Sequence, residues 1–237
     1  MFNLICDIAW FKRNAIANEL VKKGDITRDI LIGIGPNRVA DEFVTSATTS
    51  VTECIESALR RQYKRVRVYA VCNGLTDLVK EIASKSVGSL AGEAARHLMR
   101  ETGQCTMKNG ARIEFFDVPS SVTKGIAKLQ TVDPVLVIGT EGVNEIYEKC
   151  LSEAGLQRFK LSRADYRLID DAIVAAIGQN RDEIRRVRDE ISLQFVEPFR
   201  SRFRAGVVVE ACTDFDFGLG VNSLKAFAEE MVLDVYT

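Results

Sequence analysis

The chain lacks any long apolar run, and nothing in its 237 residues approaches the roughly 18 consecutive apolar residues of a membrane-spanning helix. Residues 1–7 lack the basic region and the small-residue cleavage site of a secretory signal. Neither sign of charge is in excess, because 32 basic residues are balanced by 33 acidic ones. This balance argues against general binding to nucleic acid or to a membrane surface. We therefore expect a cytoplasmic protein whose partners include neither nucleic acid nor a membrane.

Histidine is nearly absent, and the cysteines are scattered. The only histidine is His97, and the six cysteines include no Cys-x-x-Cys pair, so no zinc site is expected. Scattered cysteines in a chain of this size are typical of the reducing cytoplasm. The segment Gly33-x-Gly35 lacks the third glycine of a dinucleotide-binding fingerprint. The sequence thus predicts neither a metal nor a nucleotide cofactor.

Strand-like and helix-like segments alternate along the chain. The strand-like segments are short and largely apolar, and they lie at 4–7, 29–35, 65–71, 112–116, 134–139 and 207–211. A further strand is predicted at 156–161, and helical periodicity fills most of the remaining intervals. This order predicts an α/β fold with parallel sheets that are flanked by helices on both faces.

The predicted strands fall into two groups, which indicates two lobes. The stretch 84–110 is rich in Gly, Ser, Ala and Lys, and we place the crossing between the lobes there. The final helical segment is expected to return to the first lobe. The predicted N-terminal α/β lobe is therefore 1–90 plus 215–237, and the second α/β lobe is 91–214. Within the second lobe, Ser162 with Asp165 three residues on is similar to a helix capping box.

Two of the predicted strands stop at a cysteine. The strand at 65–71 is followed by Cys72-Asn73-Gly74, and the strand at 207–211 is followed by Cys212-Thr213-Asp214. Open α/β sheets bind their ligands at the carboxyl ends of their strands. A thiol at that edge, next to the backbone N–H groups that open a helix, is ionised more easily than the ordinary thiol. Cys72 and Cys212 are therefore candidate catalytic residues.

These motifs, in this order, resemble the cofactor-independent aspartate/glutamate racemase superfamily. Cys72-Asn73-Gly74 resembles the family's Cys-Asn-Thr, and Cys212-Thr213-Asp214 resembles its Cys-Thr-Glu or Cys-Thr-His. The strand that ends at Gly139, followed by Thr140-Glu141-Gly142-Val143, resembles its Gly-Thr-x-Gly-Thr. The resemblance implies two pseudo-symmetric Rossmann-like (flavodoxin-like) lobes with the active site in the cleft between them. It also implies that no cofactor is needed and that the protein forms a homodimer, as members of the family often do.

The resemblance also implies a set of site residues. It makes Cys72 and Cys212 catalytic, and it assigns substrate binding to eight further positions, which are Asp7, Pro36, Asn37, Asn73, Gly74, Thr140, Thr213 and Asp214. Gly74 and Val143 stand where the family has threonine, and Ile8 stands where glutamate-specific members have a small polar residue. Because these family positions help to hold the substrate's amino and carboxylate groups, the identity of the substrate stays open.

Two cysteines match the chemistry that the resemblance implies. The α-proton of a carboxylate is very weakly acidic, so inversion needs a base on one face and an acid on the other. A thiolate and a thiol supply both and exchange roles in the reverse reaction, which indicates a racemase or epimerase of a small carboxylate such as an amino acid. Four alternatives stay open. Two are enzymes, a decarboxylase, which needs one cysteine, and an isomerase with a nucleophilic cysteine. The others are a non-catalytic ligand-binding protein of the same fold and a general Rossmann-like nucleotide-binding protein.

Overall fold

The computed structural model describes residues 2–6, 40–70, 72–177, 180–212 and 216–236. Within this part, the chain is a mixed α/β protein with small sheets that contain parallel strands. The described residues divide into two compact units, with the boundary between Asp117 and Val118. No helix in the described part is both long enough and apolar enough to cross a membrane.

The first unit is built around a sheet with the strand order β1-β2-β4-β3 among its described residues. Strands β1 (Phe2–Cys6), β2 (Arg65–Ala70) and β4 (Arg112–Asp117) are parallel, and the short β3 (Gln104–Thr106) lies antiparallel on β4. The helices of this unit, listed in chain order, are α1 (Ala40–Arg60), α2 (Thr76–Ala91) and α3 (Glu93–Thr102). The sheet therefore has β2 as an internal strand with a parallel neighbour on each side.

One face of this sheet is apolar because alternate side chains of a strand point to the same side. Val66, Val68 and Ala70 of β2 belong to a buried core. Residues spaced three or four apart on the helices complete it, for example Val51, Ile55 and Ala58 of α1. This spacing places them on one face of the helix, and α2 contributes a similar set that packs on α1.

The opposite face of the same sheet carries polar and aromatic side chains. Arg67 of β2 lies opposite Glu114 of β4, and Tyr69 lies opposite Phe116. The rings of Tyr69 and Phe116 stack with centroids 5.2 Å apart, and the Arg67 guanidinium lies 5.8 Å from the centroid of Phe116. Since Arg67 and Glu114 are almost fully buried, the middle of this face is an interior polar layer.

The second unit contains a parallel sheet with the order β5-β6-β7 among the described residues. Its strands are β5 (Val135–Ile138), β6 (Val207–Glu210) and β7 (Val221–Asn222). The helices that belong to this unit are α4 (Val118–Ala127), α5 (Glu141–Glu153), α6 (Arg163–Ile177), α7 (Arg181–Ile191), α8 (Glu197–Arg202) and α9 (Ser223–Tyr236). A π-helical segment, Ser192–Val196, joins α7 to α8. Strand β6 is the internal strand of this sheet.

The core of the second unit combines aliphatic strands with aromatic helix residues. Leu136, Ile138 and Val208 of the sheet are buried with apolar residues of α6 and α7. Phe199 of α8 lies edge-on to Phe159, with ring centroids 5.4 Å apart. These contacts attach the helical segment before β6 to the sheet.

Several sequence-based expectations meet the structure directly. The mixed α/β character is confirmed, and so is the capping box, because the Ser162 N–H donates to the Asp165 carboxylate at 2.6 Å. The predicted strand at 156–161 is wrong, since only Arg158 forms a bridge, to Val135. The predicted strand at 29–35 lies outside the described residues.

Among the described residues, the boundary between the two observed units lies later in the sequence than the predicted boundary between the lobes. The stretch 84–110 forms the end of α2, then α3 and β3, all within the first unit. Helix α9 packs on α4 in the second unit. The assignment of two lobes at 1–90 plus 215–237 and 91–214 stays a prediction.

Candidate functional site

Cys72 follows the internal strand of the first sheet. Strand β2 ends at Ala70, which is in register with Cys6 on one side and with Asp117 on the other. Cys72 has extended backbone angles and directly precedes a 3₁₀ turn, Asn73–Leu75, that leads into α2. Its side chain is 8% exposed. The thiol therefore lies at the carboxyl edge of a parallel sheet and at the entry to a helix.

The residues next to Cys72 form a compact turn. Asn73 is buried and Gly74 is exposed. The hydroxyl of the buried Thr76 donates to the Cys72 carbonyl at 3.2 Å, which ties the first turn of α2 back to the cysteine. The conformation of the segment after β2 is thus stabilised by a side chain of the helix that follows it.

Asp117 is a further candidate at this edge. It ends β4 beside Ala70 and is half-buried. The sequence places an acidic residue before Val118-Pro119 at a strand end, but only the order β1-β2-β4 brings that end next to the strand that carries Cys72. A carboxylate at the carboxyl edge of a parallel sheet lies where such sheets bind ligands.

Cys212 follows the internal strand of the second sheet. Strand β6 ends at Glu210, and the Ala211 N–H donates to the Ile138 carbonyl at 2.8 Å, so the pairing with β5 continues past the strand. Cys212 is half-buried and packs against the apolar core of this unit. Like Cys72, it comes two residues after the end of a strand that has parallel neighbours on both sides.

Thr140 lies at the same edge of the second sheet and begins a helix. It follows Gly139 at the end of β5, and its hydroxyl accepts a hydrogen bond from the Val143 N–H at 3.3 Å as the N-cap of α5. A Cβ atom at Gly139 would lie 2.9 Å from Val143 and 3.3 Å from Ala211. The glycine therefore permits the two strand ends that carry Thr140 and Cys212 to approach closely. Val143 itself is buried at this point.

A polar network that the sequence analysis missed supports Thr140. The buried Asn144 side chain donates to the carbonyls of Gly139 at 2.8 Å and Thr140 at 3.2 Å. Its oxygen accepts from Arg158 at 2.9 Å, and Arg158 also donates to Glu148. Asn144 and Arg158 are 14 positions apart in the sequence, and no short motif predicts their contact.

Glu210 is a fully buried carboxylate just before Cys212. It accepts hydrogen bonds from the N–H groups of Phe217 at 2.9 Å and Gly220 at 3.1 Å, and from that of Leu219. These bonds hold the backbone of residues 217–220 against the end of β6. The signal in the sequence was a single glutamate within the run Val207-Val208-Val209-Glu210-Ala211, where an acidic residue is out of place in an apolar strand.

The polar layer of the first sheet concentrates charge around Glu114. Burial by itself raises the pKa of this carboxyl, but the hydrogen bond from Arg65 and the positive charges of Arg65, Arg112 and Arg67 outweigh it, so the pKa lies below its usual value. Arg112 approaches Glu114 to 3.0 Å. The cluster keeps Glu114 ionised inside the unit and joins β2 to β4.

A surface depression of about 430 Å³ lies apart from the predicted site residues. It is lined by Leu98, Thr102, Gln104, Cys105, Thr106 and Arg112. Arg112 begins β4, so the depression reaches the amino end of that strand, whereas Cys72 follows the carboxyl end of β2. Burial raises the pKa of the Cys105 thiol, which makes it a poor nucleophile.

Five of the predicted site positions lie outside the described residues, namely Asp7, Pro36, Asn37, Thr213 and Asp214. The other predicted positions fall into two sets, with Cys72, Asn73 and Gly74 in the first unit and Thr140 and Cys212 in the second. Within the described ranges, no three His, Cys, Asp or Glu side chains are grouped to hold a metal ion. A comparison with protein-family models found none that matches this chain, and a comparison with curated proteins found no significant match.

Proposed function

We propose that the protein is a cofactor-independent racemase or epimerase of a small carboxylate such as an amino acid. Cys72 and Cys212 are its acid–base pair, and its two units are Rossmann-like lobes related by pseudo-symmetry. The observation that carries the proposal is the repeated placement of the cysteines. In each unit, an internal parallel strand ends and a cysteine follows two residues later.

The chemistry assigned to the two thiols is symmetrical. One cysteine, as a thiolate, removes the α-proton, and the thiol of the other delivers a proton to the opposite face of the carbanion. The first cysteine is then protonated and the second is a thiolate, so the reverse reaction uses the same groups in exchanged roles. General acid–base catalysis of this kind contributes roughly 10²–10⁴-fold per group.

The polar groups near the cysteines serve to hold the substrate carboxylate. In the first unit, Asn73 and the backbone N–H groups of the turn into α2 lie directly after Cys72. In the second unit, Thr140 begins α5 at the edge that carries Cys212. Helix N-termini favour anions because their first N–H groups have no partner within the helix.

Exchange of the substrate α-hydrogen with deuterated water tests the proposal. Both enantiomers of a panel of amino and hydroxy acids are incubated with the protein, and deuterium incorporation and inversion are measured separately. The wild-type protein should exchange both enantiomers of its substrate and invert them. The variants Cys72→Ala and Cys212→Ala should each lose inversion by about 10³-fold.

Each single variant should also keep exchange of one enantiomer. The remaining cysteine can remove the proton that faces it and return a deuteron to the same face, which gives exchange without inversion. The two variants should select opposite enantiomers. Cys54→Ala and Cys150→Ala, which change half-buried cysteines on α1 and α5, are the matched controls and should keep both activities.

The pattern of results separates the alternatives. Exchange and inversion that survive in both Cys72→Ala and Cys212→Ala would show that the cysteines are not the acid–base pair. Release of CO₂ that depends on one cysteine alone would indicate a decarboxylase. Binding of a carboxylate without any exchange would indicate a ligand-binding protein.

A further inference from the structure

We infer that Glu210 is a positioning residue for Cys212, whose location it fixes by binding the backbone of the segment that follows. The inference rests on the proposed role of Cys212 in proton transfer. Glu210 ends β6 and is fully buried. Its carboxylate binds backbone N–H groups of residues 217–220 and has no assigned part in the reaction itself.

The three N–H groups require an acceptor that cannot also donate. One oxygen of Glu210 accepts from Leu219 and from Gly220 at 3.1 Å, and the other accepts from Phe217 at 2.9 Å. An ionised carboxylate has only acceptor sites, whereas a glutamine would turn its NH₂ group towards one of these donors. A buried carboxyl group is costly unless it is hydrogen-bonded, so the presence of an acidic residue within an apolar strand points to these contacts.

The segment that contains Cys212 is held at both ends. On one side, the Ala211 N–H is bonded to Ile138 of β5 at 2.8 Å. On the other side, Phe217 is bonded to Glu210, and the Leu219 carbonyl accepts from Arg200 at 2.6 Å. Cys212 therefore lies, in the sequence, between two hydrogen-bonded backbone positions, Ala211 and Phe217. Loss of the second of these hydrogen bonds would remove one of the two backbone attachments that flank the cysteine in the sequence.

The residue that corresponds to Glu210 is not acidic in the case of Cys72. The position two residues before it is Ala70, a buried residue of the apolar face. The Cys72 carbonyl accepts a hydrogen bond from the Thr76 hydroxyl at the start of α2. A change at Glu210 should therefore act on one cysteine of the proposed pair, and this asymmetry distinguishes positioning from a general loss of stability.

The experiment combines Glu210→Gln with each cysteine variant in the full chain. In the Cys72→Ala background, exchange of the α-hydrogen depends on Cys212. Glu210→Gln should lower the kcat of this exchange about tenfold or more with little change in KM, because a small misplacement of a reacting group has a large effect on rate. In the Cys212→Ala background, exchange depends on Cys72 and should stay within about twofold. An equal loss in both backgrounds, or no loss in either, would overturn the inference.

The matched control is Asp133→Asn. Asp133 also binds a backbone N–H through its carboxylate, that of Ala205 at 2.8 Å, but it does so near the opposite end of β6. The control should leave exchange unchanged in both backgrounds. If Glu210→Gln does not fold, Glu210→Asp replaces it, because aspartate keeps the acceptor-only group and shortens its reach by one methylene.

A second measurement does not depend on the proposed activity. The rate of alkylation of Cys212 by iodoacetamide is measured by peptide mass spectrometry relative to that of Cys150 in the same molecule. Glu210→Gln should raise this ratio several-fold, and Asp133→Asn should leave it unchanged. If the ratio of alkylation rates is the same in Glu210→Gln as in the wild type, Glu210 does not position Cys212. If Glu210→Gln alters the ratio but the wild-type protein exchanges no substrate, only the proposed function is contradicted.

Discussion

Replacement of Gly220 by alanine should destabilise the second unit through a backbone clash. A Cβ atom at this position would lie 2.3 Å from the Val208 carbonyl oxygen and 2.8 Å from the Val208 Cβ, where ordinary contacts begin at 3.4 Å. Because the neighbour is backbone of β6, relief requires the chain to move by about 1 Å. This shift breaks the hydrogen bond from the Gly220 N–H to Glu210 and disturbs the pairing of β6 with β7.

The expected loss in the free energy of unfolding is about 2–4 kcal/mol, which combines overpacking with one lost bond to a charged acceptor. For a chain of this length, the melting temperature should fall by about 5–15 °C. Thermal and urea unfolding followed by circular dichroism measure the change. Gly125→Ala is the matched control, since nothing lies within 4 Å of its Cβ position on α4, and it should stabilise by about 0.5–1 kcal/mol. A Gly220→Ala protein as stable as the wild type would refute the reasoning.

Three further changes have defined outcomes. The pKa of Glu114 is lowered in the folded state. Its contribution to the free energy of unfolding is therefore complete above the unfolded pKa of about 4.3 and is lost as the pH falls through the folded pKa. The free energy of unfolding, measured with urea between pH 3 and 7, should depend less on pH in Glu114→Gln than in the surface control Glu56→Gln. Asn144→Ala removes three hydrogen bonds from a buried network and should cost about 2–3 kcal/mol in chemical denaturation. Thr140→Ala should cost about 1 kcal/mol through loss of the α5 N-cap, and Thr140→Ser should recover most of it, so equal stability of the two variants would contradict the capping role.

Sequence patterns predicted the local elements because those elements depend on neighbouring residues. The β-branched runs at 65–71 and 207–211 became β2 and β6, and the serine and aspartate of the 162–165 segment formed the predicted cap. The segment 156–161 has only three apolar residues among its six, and it makes a single bridge to Val135. Strand propensity depends on how side chains pack against their neighbours, and the composition of this segment alone was not enough to predict a strand.

The position of each cysteine relative to its strand was also readable from the sequence. The predicted runs 65–71 and 207–211 end directly before Cys72 and Cys212, and the observed strands end two residues before them. Either bound places the thiol at the carboxyl edge of its strand, wherever that strand lies in its sheet. By contrast, the place of Asp117 beside the strand that precedes Cys72 depends on the order β1-β2-β4. The support that Asn144 gives to Thr140 depends on a contact with Arg158. Both contributions involve residues that are far apart in the chain.

The sequence by itself determined the alternation of helices and strands, the apolar character of β2 and β6 and the cysteine that follows each, because these features are set by the order of side chains along the backbone. Tertiary structure alone decided that both strands are internal, that Glu114 is enclosed by arginines and that Glu210 binds the returning segment at 217–220. The physical reason is that strand order and burial arise from hydrophobic packing over the whole unit. A buried carboxylate is stable only when that packing brings its donors to it.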